Sequence, residues 1–443
     1  MPATERIQFV KTAPPPPELP VLGKVRPEEC SFVGRTNYVT GIEEKRFVFG
    51  IQRADRRRHL YAVGKSGAGK SKFFELLARQ DAAHGYGFCA VDFHGDLVGA
   101  LLDSIPKERI GQVCVIDPSD TAFPVGWNPL ADVPRELTHT FAQSLIEIME
   151  KQFGVNWTPR LEHVFRFACL ALLDYPHATM GGFVSLLTDG AYRAAVVKEV
   201  QDEFVRRFWA DEFPEWSRRF EGDAVLPLVT KLSQFTLHPL VRNMFEQGRN
   251  TIDFKSLMAQ EHIVLVNLAR GNLGEHNANF LGALVVAKLK QAGMMRTNGA
   301  DPRRRDFYVY LDEFQGLATE TLENLLSEAR KYGVCLSLSH QYLEQLTPRL
   351  QAAILGTMGC VVVFRASGGD AVRLEEEMTP VFKAKDMINL GTGSFYIKMT
   401  IDGETYDPFS AETLRALPLP AGSHRDAIVA SSRARYATPR PGV

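Results

Sequence analysis

The sequence predicts an α/β protein with a mainly parallel central sheet and an inserted all-helical subdomain. Three observations predict it. An apolar run, Leu60 to Val63, leads into Gly64-Lys65-Ser66-Gly67-Ala68-Gly69-Lys70-Ser71 and then into a helical pattern. Further short apolar runs alternate with stretches of helical spacing, as strand–helix–strand units do. Between residues 131 and 258 the strand pattern lapses and helical spacing takes over.

The first observation carries chemistry. Gly64 to Ser71 fits the phosphate-loop pattern G-x-x-x-x-G-K-[ST] at every fixed position, in the strand-then-helix context that the pattern requires. Small residues at Ser66, Gly67, Ala68 and Gly69 let backbone N–H groups close around phosphates. Lys70 can neutralise the β- and γ-phosphates, and the Ser71 hydroxyl can bind Mg2+. The following helix points its positive end at the anion.

Composition bounds the rest. The 443 residues are 45% hydrophobic and 23% charged, ordinary for a globular protein, and the net charge is −1. No overall basic excess advertises nucleic acid, so a polyanion site must come from local clustering. The six cysteines show no paired spacing and lie mostly in apolar runs, which predicts reduced, buried thiols of a cytosolic protein. No apolar stretch reaches the roughly 18 residues of a membrane span, and the N-terminus lacks a signal-peptide pattern.

In chain order, residues 1–40 are expected to be a Pro-rich lead-in, with Pro14 to Pro17 at its centre. A nucleotide-binding domain is expected over 41–130 and 259–405, interrupted by the helical insertion 131–258, with a tail at 406–443. Arg53, Arg56, Arg57 and Arg58 precede the phosphate loop; they read either as nucleotide or nucleic-acid contacts or as a solvated turn. Strands are expected at 46–51, 87–93 and 112–117. Asp92, His94 and Asp96 end the second of these, where ligands bind in parallel sheets, or else they serve the turn itself. In the insertion, Phe204, Phe208, Trp209, Phe213, Trp216 and Phe220 read as helical core in preference to base-stacking residues.

The sheet resumes at 262–268, almost continuously apolar as a doubly covered strand should be. A helix follows to about Arg296, then a polar connection, 298–305, with Arg303, Arg304 and Arg305. Phe307 to Leu311 is a strand that delivers Asp312 and Glu313 at its C-terminal end. Asp312 fits the acid that holds Mg2+, and Glu313 fits a general base acting on water. A helix at 321–332 ends at Gly333, strand 334–339 leads to His340 and Gln341, and strands are expected at 359–364 and 393–399. Residues 420–443 carry Arg425, Arg433, Arg435 and Arg440 without apolar periodicity and read as a solvated tail or an arm.

The order of phosphate loop, Asp312-Glu313, Ala329-Arg330-Lys331-Tyr332-Gly333 and Ser339-His340-Gln341 resembles the FtsK/HerA superfamily of hexameric ATPases. It is most similar to the coupling proteins of type IV secretion and conjugation, TraG/TraD-like, over roughly residues 45–405. The resemblance implies a RecA-like P-loop NTPase core, ATP and Mg2+ as cofactors, assembly as a homo-hexameric ring, and translocation of DNA. It implies that Gln341 senses the γ-phosphate and that Arg330 is an arginine finger reaching a neighbour's nucleotide, with Arg365 the alternative. Read without the resemblance, Arg330 is a helix C-terminal cation and Gln341 a polar residue at a helix start. Such coupling proteins usually carry N-terminal membrane spans and this sequence has none. The expectation is a cytoplasmic motor that either is recruited to the inner membrane by a type IV secretion or relaxosome partner or pumps DNA without a secretion channel. The other readings are a HerA-like motor serving a nuclease in repair or defence, a protein-secretion ATPase, and a non-catalytic nucleotide-binding scaffold.

Overall fold

The computed structural model describes residues 10–38, 46–220, 223, 225–247, 250–296, 305–414 and 422–439. Twelve strands form one sheet: β1 Cys30–Thr36, β2 Val48–Gln52, β3 Leu60–Val63, β4 Phe88–Asp92, β5 Val113–Ile116, β6 Ile263–Asn267, β7 Phe307–Leu311, β8 Val334–His340, β9 Cys360–Val363, β10 Ser394–Ile401, β11 Glu404–Thr405 and β12 Phe409–Thr413. Their order is β2-β1-β12-β10-β9-β3-β8-β7-β4-β6-β5, with β11 paired to β10. From β9 to β5 every pairing is parallel. From β9 outward through β10, β12 and β1 to β2 every pairing is antiparallel.

The parallel strands are apolar throughout because both faces are covered. Successive side chains of β3 alternate between two cores: Tyr61 and Val63 enter one, Leu60 and Ala62 the other. β7 does the same, with Phe307, Val309 and Leu311 on the first side and Tyr308 and Tyr310 on the second. The second core lies under helices Lys70–Ala83 and Asp96–Ser104. The first lies under helices Glu275–Met295 and Glu320–Glu328 and continues into residues 138–259, where the described elements are all helical. Phe208, Trp209 and Phe213 are buried there, whereas Phe204 is exposed.

Several expectations are corrected. The Pro-rich lead-in is not free of the fold from residue 10 onward. The Tyr396 hydroxyl donates to the Lys11 carbonyl, Gly50 N–H donates to the Pro20 carbonyl, and β1 pairs with both β2 and β12. The C-terminal stretch is not a solvated tail. Helix Arg425–Tyr436 packs on the β5 edge, buries Ile428, and its Ser432 hydroxyl accepts from Val115 N–H. Arg425 pairs there with Asp103, and Arg433 pairs with Asp120. The helix expected over 321–332 is α-helical only to Glu328 and finishes as a 3-10 turn, Ala329–Tyr332, closed by Gly333 at φ 64°. The polar connection 298–305, apart from Arg305, lies outside the described residues, as does Arg440.

Arg53 and Arg56 are neither solvated nor near the phosphate loop. They sit at the opposite edge of the sheet, ahead of β3, and are buried. Asp81 Oδ1 accepts from Arg53 Nη1 at 2.6 Å and from Arg56 Nη1 at 2.8 Å. The Arg56 guanidinium also lies 3.7 Å over the Tyr308 ring and donates to the Tyr310 hydroxyl at 2.7 Å. One carboxylate thus balances two buried cations. Asp81→Ala should destabilise the fold by about 3–5 kcal/mol, because it leaves both guanidiniums uncompensated. Urea unfolding checks this; an unchanged midpoint would show that the cluster contributes nothing net.

Candidate nucleotide-binding and hydrolysis site

The C-terminal edge of the parallel sheet gathers the chemistry-bearing residues. β8 lies between β3 and β7, so the loop after β3 and the acids after β7 are one strand apart. They touch: the Ser71 hydroxyl donates to Asp312 Oδ2 at 2.6 Å, although 241 positions separate them.

The loop Gly64–Ser71 needs its glycines. Gly64, Gly67 and Gly69 have φ of 155°, 70° and 124°. A Cβ at Gly64 would meet the Phe364 Cβ at 2.7 Å, so the loop lies against the exit of β9. Lys65 N–H donates to the Arg365 carbonyl at 2.8 Å, and Gly393 N–H donates to the Ala68 carbonyl at 3.1 Å. Both straps hold the loop from the antiparallel side. Helix Lys70–Ala83 then begins with no side-chain cap and no acid in its first turn. A helix start leaves N–H groups free and carries partial positive charge, so this end suits an anion.

Lys70 is buried, and its ammonium donates to the Gly64 carbonyl at 2.7 Å and the Lys65 carbonyl at 3.3 Å. Burial lowers its pKa, opposed by the Glu313 and Asp312 carboxylates. Asp312 is buried too. Burial raises its pKa, opposed by hydrogen bonds from Ser339 and Ser71. Its two oxygens are taken by those two hydroxyls, one each. Ser71 Oγ and Asp312 are hard oxygen donors side by side, which fits Mg2+; such an ion takes one or two protein oxygens and completes its shell with water and phosphate.

Glu313 stands at φ 54°, ψ 46°, a left-handed conformation that a non-glycine residue adopts at a cost. Its carboxylate is held at both oxygens: Gln341 Nε2 donates to Oε1 at 2.9 Å and Gln315 Nε2 to Oε2 at 3.0 Å. Between these groups His340 is fully buried, and its ring lies edge-on to Phe314. Burial, with Lys70 adding to it, lowers its pKa to about 3, which keeps a second cation from forming beside Lys70.

The structure therefore brings Lys70, Ser71, Asp312, Glu313 and Gln341 together. Arg365 is at the same edge through its carbonyl. Arg330 is not: it is exposed in the 3-10 turn ahead of β8, at the opposite edge of the sheet, where its charge acts on His59. Asp92 is close to Asp312 but spends its oxygens on its own turn, accepting from His94 N–H and Val98 N–H. Sequence reasoning passed over Ser339 and Gln315 as site residues. Ser339 was legible as the residue facing the acid from the next strand; a lone glutamine two places past Glu313 carries no signal in a sequence.

The family model for the type IV secretion-system coupling protein DNA-binding domain matches residues 49–378. No curated protein matches the chain. Among solved structures, the unbound bacterial conjugative coupling protein TrwBdeltaN70 is similar at 15% identity and TM-score 0.62, over 84% of this chain and 87% of that one. The plasmid coupling protein TrwB in complex with ADP and Mg2+ gives 15% identity and TM-score 0.63, over 85% and 90%. VirB4 of Thermoanaerobacter pseudethanolicus gives 12% and 0.55, over 81% and 89%. At these identities the likeness is one of fold.

Lys70→Ala should weaken triphosphate binding by about ten- to a hundredfold, the scale of a lost charge-assisted hydrogen bond. Titration with a fluorescent ATP analogue checks it, and unchanged affinity would remove Lys70 from the site.

Proposed function

The chain belongs to the type IV secretion-system coupling protein family, and on that premise we propose that it is an ATP-hydrolysing ring motor, a hexamer, that translocates DNA. The observation that carries the reading is the contact of Ser71 with Asp312 beside a Glu313 oriented at both oxygens.

In this reading the loop N–H groups and Lys70 hold the β- and γ-phosphates of ATP. Ser71 and Asp312 hold Mg2+, which when bound neutralises charge on the phosphates. Glu313 accepts the proton of the attacking water. The amides of Gln341 and Gln315 fix the direction in which its lone pairs point. Gln341 lies between that base and the loop, which suits a residue that reports on the γ-phosphate.

Arg330 acts on a neighbouring subunit's nucleotide. Its exposed place at the sheet edge away from Gly64–Ser71 supports service to another subunit's site over service to its own. A guanidinium brought to the transferring phosphoryl accelerates hydrolysis by about 10³–10⁵ in systems of this kind. Hydrolysis would then depend on assembly. Arg365, on the loop's own side, fits that role less well. No helix among the described residues is long and apolar enough to cross a membrane; we propose that a type IV secretion or relaxosome partner recruits the motor there.

Glu313→Gln should bind ATP with parental affinity and lose nearly all turnover; loss of binding would make Glu313 structural. Arg330→Ala should keep affinity and lose turnover, and mixing it with Lys70→Ala subunits should restore part of it, since intact sites can then face intact fingers. Absence of rescue in assembled mixed rings would end the trans assignment. Turnover of the parent protein should rise with duplex or single-stranded DNA; indifference to both would favour a protein-moving motor, and co-purification with a nuclease would favour a repair or defence role.

A further inference from the structure

Helix Thr138–Phe153 belongs to the helical insertion, yet two of its side chains leave it to hold the segment after β7. Lys151 Nζ donates to the Ala318 carbonyl at 2.7 Å and to the Gln315 carbonyl at 3.0 Å. These carbonyls belong to the turn Phe314–Leu317 and the residue after it. One helical turn earlier, Glu147 is buried. Its Oε2 accepts from Thr321 N–H and from the Thr321 hydroxyl, both at 2.6 Å. Thr321 lies in the first turn of helix Glu320–Glu328, where a carboxylate is favourable with the helix dipole.

The bland account of Lys151 is a cation that offsets the C-terminal dipole of its own helix. That role needs no outside acceptor. The ammonium instead meets two carbonyls more than 160 positions away, with the i, i+4 partner Glu147 gripping the next element of the same segment. The turn is pressed from its other side as well: a Cβ at Gly316 would lie 2.2 Å from Asn279 Oδ1 of helix Glu275–Met295. Within this clamp sits Gln315. Its backbone carbonyl is held by Lys151, and its amide donates to Glu313 Oε2.

We propose that Lys151 is a positioning residue for hydrolysis, by which the insertion sets the orientation of Glu313 through Gln315. The proposal rests on the reading of Glu313 as the base. A shift of helix Thr138–Phe153 along its axis moves Lys151 and Glu147 together. It therefore acts at once on the turn beside Glu313 and on the helix whose far end leads to Arg330. The insertion is thus wired to both ends of the hydrolytic machinery, the base of its own site and the arginine offered to the next.

The test is a double-mutant cycle on the assembled full chain, with ATP turnover and fluorescent-nucleotide binding as readouts. Lys151→Met should lower kcat on the order of tenfold, the worth of one charge-assisted hydrogen bond, with KM and nucleotide affinity unchanged. Gln315→Ala should do the same. The pair should lose about as much as either alone, because both act along one path. Lys151→Arg, which keeps N–H donors on an exposed stem, should recover most of the rate. Thermal unfolding of each variant separates positioning from loss of fold. Full turnover in Lys151→Met, additive losses in the pair, or a fall in affinity equal to the fall in rate would overturn the proposal. Glu313→Gln, run alongside, tells the two readings apart: retained turnover there sinks the base assignment itself, whereas lost turnover with additive Lys151 and Gln315 effects sinks only the coupling.

Discussion

Everything at this site depends on one constraint: β8 must separate β3 from β7. With one strand between them, the Ser71 hydroxyl and the Asp312 carboxylate stand 2.6 Å apart. The same strand ends in Ser339 and His340 with Gln341 directly after it, and each faces what its neighbours deliver. Ser339 meets Asp312, Gln341 meets Glu313, and His340 packs against Tyr61 and Phe314. A one-residue slip of β8 would turn all three to the wrong face, because side chains alternate along a strand. Register is protected by the alternation of apolar residues into two cores and by His59, whose Nδ1 accepts from Leu336 N–H while its other nitrogen donates to the Leu326 carbonyl.

The two edges of the parallel sheet hold charge for different ends. At the edge ahead of β3, Arg53, Arg56 and Asp81 satisfy one another and the Tyr308 and Tyr310 hydroxyls. There each guanidinium is already paired with a carboxylate. At the other edge Lys70 faces backbone carbonyls, Asp312 faces two hydroxyls, and Glu313 faces two amides. Among the described residues none of these acids has a cation bonded to it, and Lys70 has no carboxylate in hydrogen-bond contact. Burial moves Lys70 down and Asp312 up in pKa, opposed at Lys70 by the two carboxylates and at Asp312 by the two hydroxyls. A triphosphate with Mg2+ suits that donor set, the phosphates at Lys70 and the ion at Ser71 and Asp312.

Much of this was legible in the sequence because it is local. The phosphate loop, the apolar strands and the acid pair are each written within about ten residues, and the covered faces make β3, β4, β6 and β7 unmistakably apolar. What was not legible depends on pairing across long separations. β1 is an ordinary stretch until β12 and β2 flank it. The helix Arg425–Tyr436 shows no long apolar stripe because it docks through a few apolar residues, Ile428, Val429 and Tyr436, together with Ser432 and two arginine–aspartate pairs. Arg53 and Arg56 read as a charge run because their counter-ion, Asp81, lies in the next helix and their tyrosine partners some 250 positions on.

The position of Arg330 then follows from the fold and not from its own sequence context. Helix Glu320–Glu328 starts at the edge that carries Glu313 and runs back to the edge where β8 begins. Nine residues at 1.5 Å each span about 13 Å, so a residue just beyond its end is carried away from its own nucleotide loop. An arginine placed there is exposed and far along the sheet from Gly64–Ser71, which is the ground for proposing that it serves a neighbouring subunit. Glu147 grips the first turn of this helix and Lys151 the turn before it, so in the proposed ring the insertion would bear on the element that carries Arg330 toward a neighbour.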